Sequence, residues 1–295
     1  KSEEISHDSL IIIASGGSTL SIAENLKKAG FKYFLDYFSF YKNTAFDLPE
    51  LFLNSHFSEE YKKNKVHFDY IYSILEDRLS KNIFNKLVNF KNTYDIGYLA
   101  GFINNENDQY FDLPMLMENT AFFVDVGGYD GMTTFRFIER VPNYKGVYFF
   151  EPEIQNFEQA KSNLNDKEHI QFFNKGCSYR DETAYLTTDK DTSTISYSGN
   201  QKIHLVALDN ILRREEGIFI KMDIEGAEYD AILGCRNVIK ESTPTLAISI
   251  YHKVNDFWKI PFLVLSINPN YKIYIRHYTE TVYETVMYFV PDNRL

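Results

Sequence analysis

Residues 122–134 read FFVDVGGYDGMTT: an apolar run, an acid, three glycines within five positions, then hydroxyl residues. An apolar run that ends in glycines and then opens a helical pattern is a strand–turn–helix unit. In an open parallel sheet such a turn lies beyond the C-terminal end of its strand, where ligands bind. Gly127 and Gly131 tolerate positive φ and let a ligand approach the backbone. The N–H groups that open the next helix suit an anion. A pyrophosphate loop wants G-x-G-x-x-G. Here Tyr129 takes the third position counted from Gly127, and Asp125 and Asp130 add carboxylates that repel a pyrophosphate.

A nucleoside cofactor bearing an ammonium and a sulfonium is attracted by the same two acids. S-adenosylmethionine carries both charges, and its one carboxylate suits the helix N-terminus. Glu151 stands twenty residues after Gly131, just past the next apolar run, where an acid can bridge ribose hydroxyls. The residues expected around this cofactor are Asp125, Gly127, Gly128, Asp130, Gly131, Thr133, Glu151, Pro152 and Asp223. Cys177 and Ser178 are expected beside the adenine through their backbone.

Working outward, strand-like runs recur at residues 122–126, 146–150, 170–173, 218–222 and 245–251, with helical patterns at 133–139, 154–164 and 227–240. In those helices Ile154, Phe157, Leu164, Ala231, Ile232, Cys235 and Ile239 are expected inward. The rhythm predicts a parallel sheet covered on both faces. Residues 184–208 alternate instead, as an inserted ribbon. The runs YKIYIRHYT and ETVMYFVP are separated by too few residues for a crossover helix, so they must form an antiparallel hairpin. Upstream, LIIIA, Gly16-Gly17, a helix capped by Ser18 and stopped at Gly30, and FKYFLD resemble half of a nucleotide-binding fold, with Asp36 twenty residues past Gly16, but the third glycine is missing and the unit reads as a substrate-positioning or packing module. Residues 41–65, broken by Pro49, read as an irregular crossing, and 66–103 as helical. The expected division is 1–65, a small N-terminal α/β unit and linker; 66–117, a helical segment; and 118–295, the larger sheet with its ligand site.

Composition narrows the function. The chain has 295 residues, 44% hydrophobic and 24% charged, as in ordinary globular proteins. Its 31 basic and 41 acidic residues leave −10, which disfavours nucleic acid as a partner. No apolar stretch is long enough to cross a bilayer and no secretory signal is visible. Two cysteines, Cys177 and Cys235, offer neither a disulfide framework nor a metal cluster, so a reducing cytoplasm is expected. The aromatic content of 16% does not by itself indicate sugar binding.

The segments FVDVGGYDGMTT, YFFEPEIQNFEQAKSNL, LVALDNI, IFIKMDIEGAEYDAILG, YHKVNDFWKIPFLV and YIRHYTETVYETVMY resemble the FkbM family of S-adenosylmethionine-dependent O-methyltransferases. The resemblance covers about residues 65–295, and KMDIEGAE is its most specific part. It implies methyl transfer to a hydroxyl of a sugar in a bacterial surface glycan or its precursor. The expected fold is α/β: a class I methyltransferase Rossmann-like sheet with an antiparallel C-terminal hairpin, preceded by the small α/β unit and the helical segment. Tyr129 departs from the middle glycine of the usual methyltransferase loop, a substitution the family often tolerates.

Such a reaction needs an aligned acceptor and a base for its proton. Asp223, Glu225 and His252 are the expected catalytic residues, with His252 a neutral imidazole. Glu228 reads as a helix-start acid, and Arg276 either as a surface charge or as a holder of a phosphate or carboxylate on the acceptor. Acids at this strand end, with Asn255-Asp256, could take magnesium, but no spacing is diagnostic and no metal is expected. Two other readings compete: an NAD(P)-dependent oxidoreductase, disfavoured by Tyr129, Asp130 and the hairpin, and a non-catalytic glycan- or protein-binding module on the same fold.

Overall fold

Short β-branched and aromatic runs, each followed by a helical pattern, can bury their apolar surface only by stacking as layers. The computed structural model describes residues 5–15, 17–48, 51, 56–189, 192–196 and 201–292. Gly16 and Pro49 lie outside the described residues. At the N-terminal end β1 (Leu10–Ile13), α1 (Thr19–Lys28), β2 (Tyr33–Asp36) and α2 (Tyr37–Asn43) make a two-stranded parallel unit. Ser18 begins α1 but makes no side-chain cap. Its φ of 57° differs from the extended backbone that a capping hydroxyl requires. Asp36 is occupied as the cap of α2, accepting the Ser39 N–H at 2.9 Å, and is buried. Phe38 of α2 meets Phe90 edge-on at 4.9 Å.

α3 (Phe57–Ile74) and α4 (Arg78–Thr93) follow. α3 starts well before residue 66, in a stretch that sequence alone reads as irregular. Its anchor is Phe57, buried against Phe68 and Phe257 at 5.8 and 5.9 Å, while the charged residues after it hide the periodicity. The expected continuous helix over 66–103 breaks at Leu75, which turns extended to bridge Ile273. Asp77 then caps α4 through the Ser80 N–H.

The main body runs β3 (Phe122–Val126), α5 (Met132–Arg140), β4 (Gly146–Phe150), α6 (Ile154–Asn163) and β5 (Ile170–Phe173). A short β6 (Gly176–Cys177), β7 (Glu182–Asp189), β8 (Thr192–Ser196) and β9 (Gln201–Val206) come next. β10 (Ile218–Met222), α7 (Glu228–Leu233), α8 (Arg236–Glu241), β11 (Thr245–Ser249), α9 (Asp256–Ile267), β12 (Tyr271–His277) and β13 (Thr285–Pro291) complete it. Seven strands form one sheet in the order β12-β13-β11-β10-β3-β4-β5. β3, β4, β5, β10 and β11 are parallel, and β13 is antiparallel to both β11 and β12. The sheet therefore ends in the hairpin that the short link demanded. β6, β9, β7 and β8 form a separate four-stranded sheet, the inserted ribbon.

Alternation along each strand sends side chains to opposite faces. Phe123 and Phe219 face α5, where Phe123 stacks on Phe137 at 4.5 Å. Val124, Val126, Ile220 and Met222 face the other way, into a core shared with α7, α8 and α9. Both faces are covered, as a parallel sheet requires, and each buried phenylalanine contributes about 2 kcal/mol. The helix expected over 227–240 is two helices: Asp209 accepts the Asn237 and Val238 N–H groups that open the second, and at the junction a Cβ on Gly234 would lie 2.0 Å from the Ser178 carbonyl oxygen. Ile154, expected inward, is 45% exposed at the start of α6. α9 escapes a periodicity reading because Pro261 lies inside it, on the face buried with Phe257, Ile260 and Val264.

Candidate active site

The C-terminal ends of β3, β4 and β10 open onto one cleft of about 790 Å³, within the usual size for a cofactor and small substrate. Gly127, Gly128, Tyr129, Asp130 and Thr133 line it from the glycine turn, with Glu151, Pro152 and Cys177 on one side and Asp223 and Glu225 on the other. The turn's first glycine is demanded by chain packing. Gly127 has φ 80°, and a Cβ there would lie 2.0 Å from the Asp223 carbonyl oxygen. The ends of β3 and β10 thus close on each other and hold the loop at the cleft floor.

Four expected cofactor contacts do not face the cleft or have another primary partner. Asp125 shares the face of β3 with Phe123 and is fully buried under α5. It accepts the Thr134 hydroxyl at 2.8 Å and pairs with Lys221, its cross-strand neighbour, at 3.2 Å. Period-two alternation, unweighed when the loop is read as a string, decides this. Gly131 precedes α5 and packs against Leu164. Ser178 lies behind the lining, donating its N–H to the Val206 carbonyl. Asp130 does line the cleft, but one carboxylate oxygen accepts the Met132 N–H at 3.1 Å, two residues on in the same turn.

Glu151 faces the cleft. Its two oxygens accept the N–H groups of Tyr129 (3.0 Å) and Glu153 (2.9 Å), which fixes the carboxylate while leaving lone pairs for ligand hydroxyls. Burial pushes its pKa up to about 7, against the pull of those N–H groups and of Lys221. Lys221 itself is the unforeseen residue of the site. Burial opposes its charge, but Asp125, Asp223 and Glu151 hold the ammonium above its ordinary pKa. It donates to the Gly127 carbonyl at 2.5 Å, clamping the glycine turn to β10. A lysine in an otherwise apolar strand, IFIKM, was the available signal.

Asp223 accepts the Tyr110 hydroxyl at 2.7 Å and the Tyr251 hydroxyl at 3.3 Å. Burial pushes it up, but His252 and Lys221 outweigh that and keep it below the usual carboxylate range. His252 does not line the cleft. It is buried behind Asp223, with Nε2 3.4 Å from Asp223 and 3.6 Å from Glu225, and Nδ1 2.9 Å from Glu228. Burial opposes its charge, yet Glu228, Asp223 and Glu225 raise it to about 9. These carboxylates favour the protonated ring, against the neutral imidazole expected for a base. Glu228 is fully buried and accepts the Ile224 N–H at 2.9 Å. Arg276 does not line the cleft: it is buried, donates to both oxygens of Asp77, and ties β12 to α4. Gln109 and Glu284 complete the acceptor side, hydrogen-bonded to each other. Burial and Asp223 raise Glu284 to about 7. Gln109 and Tyr110 come from an aperiodic stretch that carries no sequence signal of function.

The fit to a cationic cofactor follows from charge. Six acids line the cleft (Asp130, Glu151, Glu153, Asp223, Glu225 and Glu284) against two lysines, Lys175 and Lys221. One of those lysines is already paired. A pyrophosphate would enter a negative field, whereas an ammonium and a sulfonium lower its energy. The residues present fit S-adenosylmethionine: Glu151 for the ribose, the glycine turn for the methionine end, and Cys177 and Pro152 beside the base.

The family model described as the methyltransferase FkbM domain matches residues 125–283. Among solved structures, methyltransferase FkbM from Methylobacillus flagellatus KT superposes with a TM-score of 0.78 at 22% identity. The match covers 92% of this chain and 71% of that one, and shows the shared fold. Precorrin-6y C5,15-methyltransferase from Geobacter metallireducens GS-15 aligns at TM-score 0.39 and 12% identity, over 64% of this chain and 89% of the other. Fibrillarin from Aeropyrum pernix, in complex with natively bound S-adenosyl-L-methionine, aligns at 0.41 and 10%, over 62% and 71%. No curated protein matches the chain. Among the described residues, no helix is long and apolar enough to cross a membrane.

Proposed function

We propose, from the premise that the chain belongs to the FkbM methyltransferase family and uses S-adenosylmethionine, that it methylates a hydroxyl of a sugar in a bacterial surface glycan or its cytoplasmic precursor. The observation that carries this reading is the acceptor wall. Asp223, Glu225 and Glu284 offer carboxylate oxygens to a donor-rich polyol, and the Tyr110 and Tyr251 hydroxyls hold Asp223 in place beside them. Residues 118–295 are assigned the reaction, 66–117 add Gln109 and Tyr110 to the acceptor side of its cleft, and 1–65 serve as a packing unit.

When bound, S-adenosylmethionine supplies an electrophilic methyl group for in-line displacement. The chain supplies alignment, worth several kcal/mol when reacting atoms are held about 3 Å apart. Glu151 holds the ribose end, and the Lys221 clamp fixes the turn beneath the methionine end. Asp223 accepts a hydrogen bond from the acceptor hydroxyl and orients it. The hydroxyl becomes a strong acid only as its new C–O bond forms, so a carboxylate of low pKa suffices to take the proton then. Positive charge on the His252 side keeps Asp223 ionised for that purpose, and Glu225 borders the same space.

Incubation with radiolabelled methyl donor and cell-surface glycan extracts, followed by mass spectrometry, should place label on a sugar oxygen. Label on nitrogen or on protein alone overturns the acceptor class. Asp223→Asn should bind S-adenosylhomocysteine in calorimetry yet lose transfer by on the order of a hundredfold or more. Full turnover in that variant removes Asp223 from the reaction.

A further inference from the structure

Behind Asp223 lies a cluster that the proposed chemistry does not fully use. Donor atoms of Asp223, Glu228 and His252 all lie within 4.8 Å of one another. The side chains of His252 and Glu228 are 3% and 1% exposed. Neither ring nitrogen of His252 makes a hydrogen bond, and neither does Glu228 Oε2. Nδ1 is 2.9 Å from Glu228 Oε1, yet the carboxylate stands off the direction an N–H would take. Three buried polar atoms without hydrogen bonds are costly to keep. The carboxylates of Asp223, Glu225 and Glu228 crowd this one imidazole, at 3.4, 3.6 and 2.9 Å. The partners are those a cation would have: two carboxylates and an imidazole on separate elements, at the ends of β10 and β11 and the start of α7.

The geometry points to a site for one divalent cation held by Asp223, Glu228 and His252 at the acceptor side of the cleft. Bonds of about 2.1–2.2 Å would reach all three donors after small side-chain shifts. A mixed oxygen and nitrogen set favours a first-row transition ion over magnesium or calcium. Glu225, 3.6 Å from Nε2 and half-exposed, is placed to complete the shell from the cleft. What the ion would do for an acceptor oxygen rests on the proposed reaction; its binding does not.

The test uses the full chain, stripped with EDTA and titrated with Mn²⁺ alone, free ion being read by electron paramagnetic resonance. One Mn²⁺ per chain is expected, with a rise in melting temperature. Glu228→Gln and His252→Gln should each weaken binding at least tenfold, while Asp166→Asn, an exposed acid outside the cleft, binds like the wild type. Failure of the wild type to bind Mn²⁺ at millimolar concentration, or binding unchanged in both cluster variants, overturns the site. Should a variant not fold, the wild-type stoichiometry and melting shift still decide the matter. Because neither cofactor nor acceptor is present, failure here leaves the methyl-transfer reading standing, and the reverse.

Discussion

Burial holds Glu151 protonated up to about pH 7, although its backbone N–H partners and Lys221 favour the anion and only Glu153 opposes it. A cationic cofactor selects the ionised form, so affinity should rise with pH and level off above about 7.5. If only the anion binds, calorimetry at pH 6 should give a dissociation constant on the order of tenfold weaker than at pH 8. Glu151→Gln should abolish that dependence and bind weakly throughout; an unchanged pH profile in the variant would refute the ribose assignment. The stability sign runs oppositely. A folded pKa of about 7 against 4.5 in the unfolded chain means the folded state holds the extra proton, so stability is lost as pH rises between those values. Glu151→Gln should therefore melt higher than wild type at pH 8, by on the order of 2 kcal/mol, and equally at pH 4.

The decisive element is the junction of β3 and β10. Asp125 and Lys221 face each other in register, both buried, and Lys221 reaches the Gly127 carbonyl. Removing one partner leaves an uncompensated charge, so Lys221→Met should cost about 3–5 kcal/mol in denaturant unfolding. The double variant with Asp125→Asn should recover much of this, yet still bind S-adenosylhomocysteine weakly, because the turn loses its clamp. Full affinity in a folded double variant would rule the clamp out. Both residues stood in the sequence within FVDVGG and IFIKMD. Their pairing did not, because register between strands almost a hundred residues apart is set by the sheet. The strand runs and the hairpin were legible because period and link length are local. The breaks at Leu75 and Gly234 were not, since the partners found there, Ile273 for Leu75 and Asp209 for the start of α8, come from elsewhere in the chain.

Across the whole molecule, stability is uneven. The seven-stranded sheet is covered on both faces, whereas β1 and β2 form a two-stranded sheet with Leu10, Tyr33 and Leu35 exposed. Two strands with little buried surface open readily. Amide exchange should be faster in β1 and β2 than in β3, β10 and β11 by a hundredfold or more; equal protection would show that the N-terminal unit shares the main core's cooperativity. Local pattern alone determined the α/β class, the parallel strands, the terminal hairpin and the position of the glycine turn and Glu151. Those follow from period, link length and residue type, which act between near neighbours. Only the tertiary structure turned Asp125 under α5, put Lys221 beneath the turn, sent Arg276 to Asp77 and set His252 among carboxylates. Each of those outcomes depends on which face of a strand a side chain takes and on which distant element covers it.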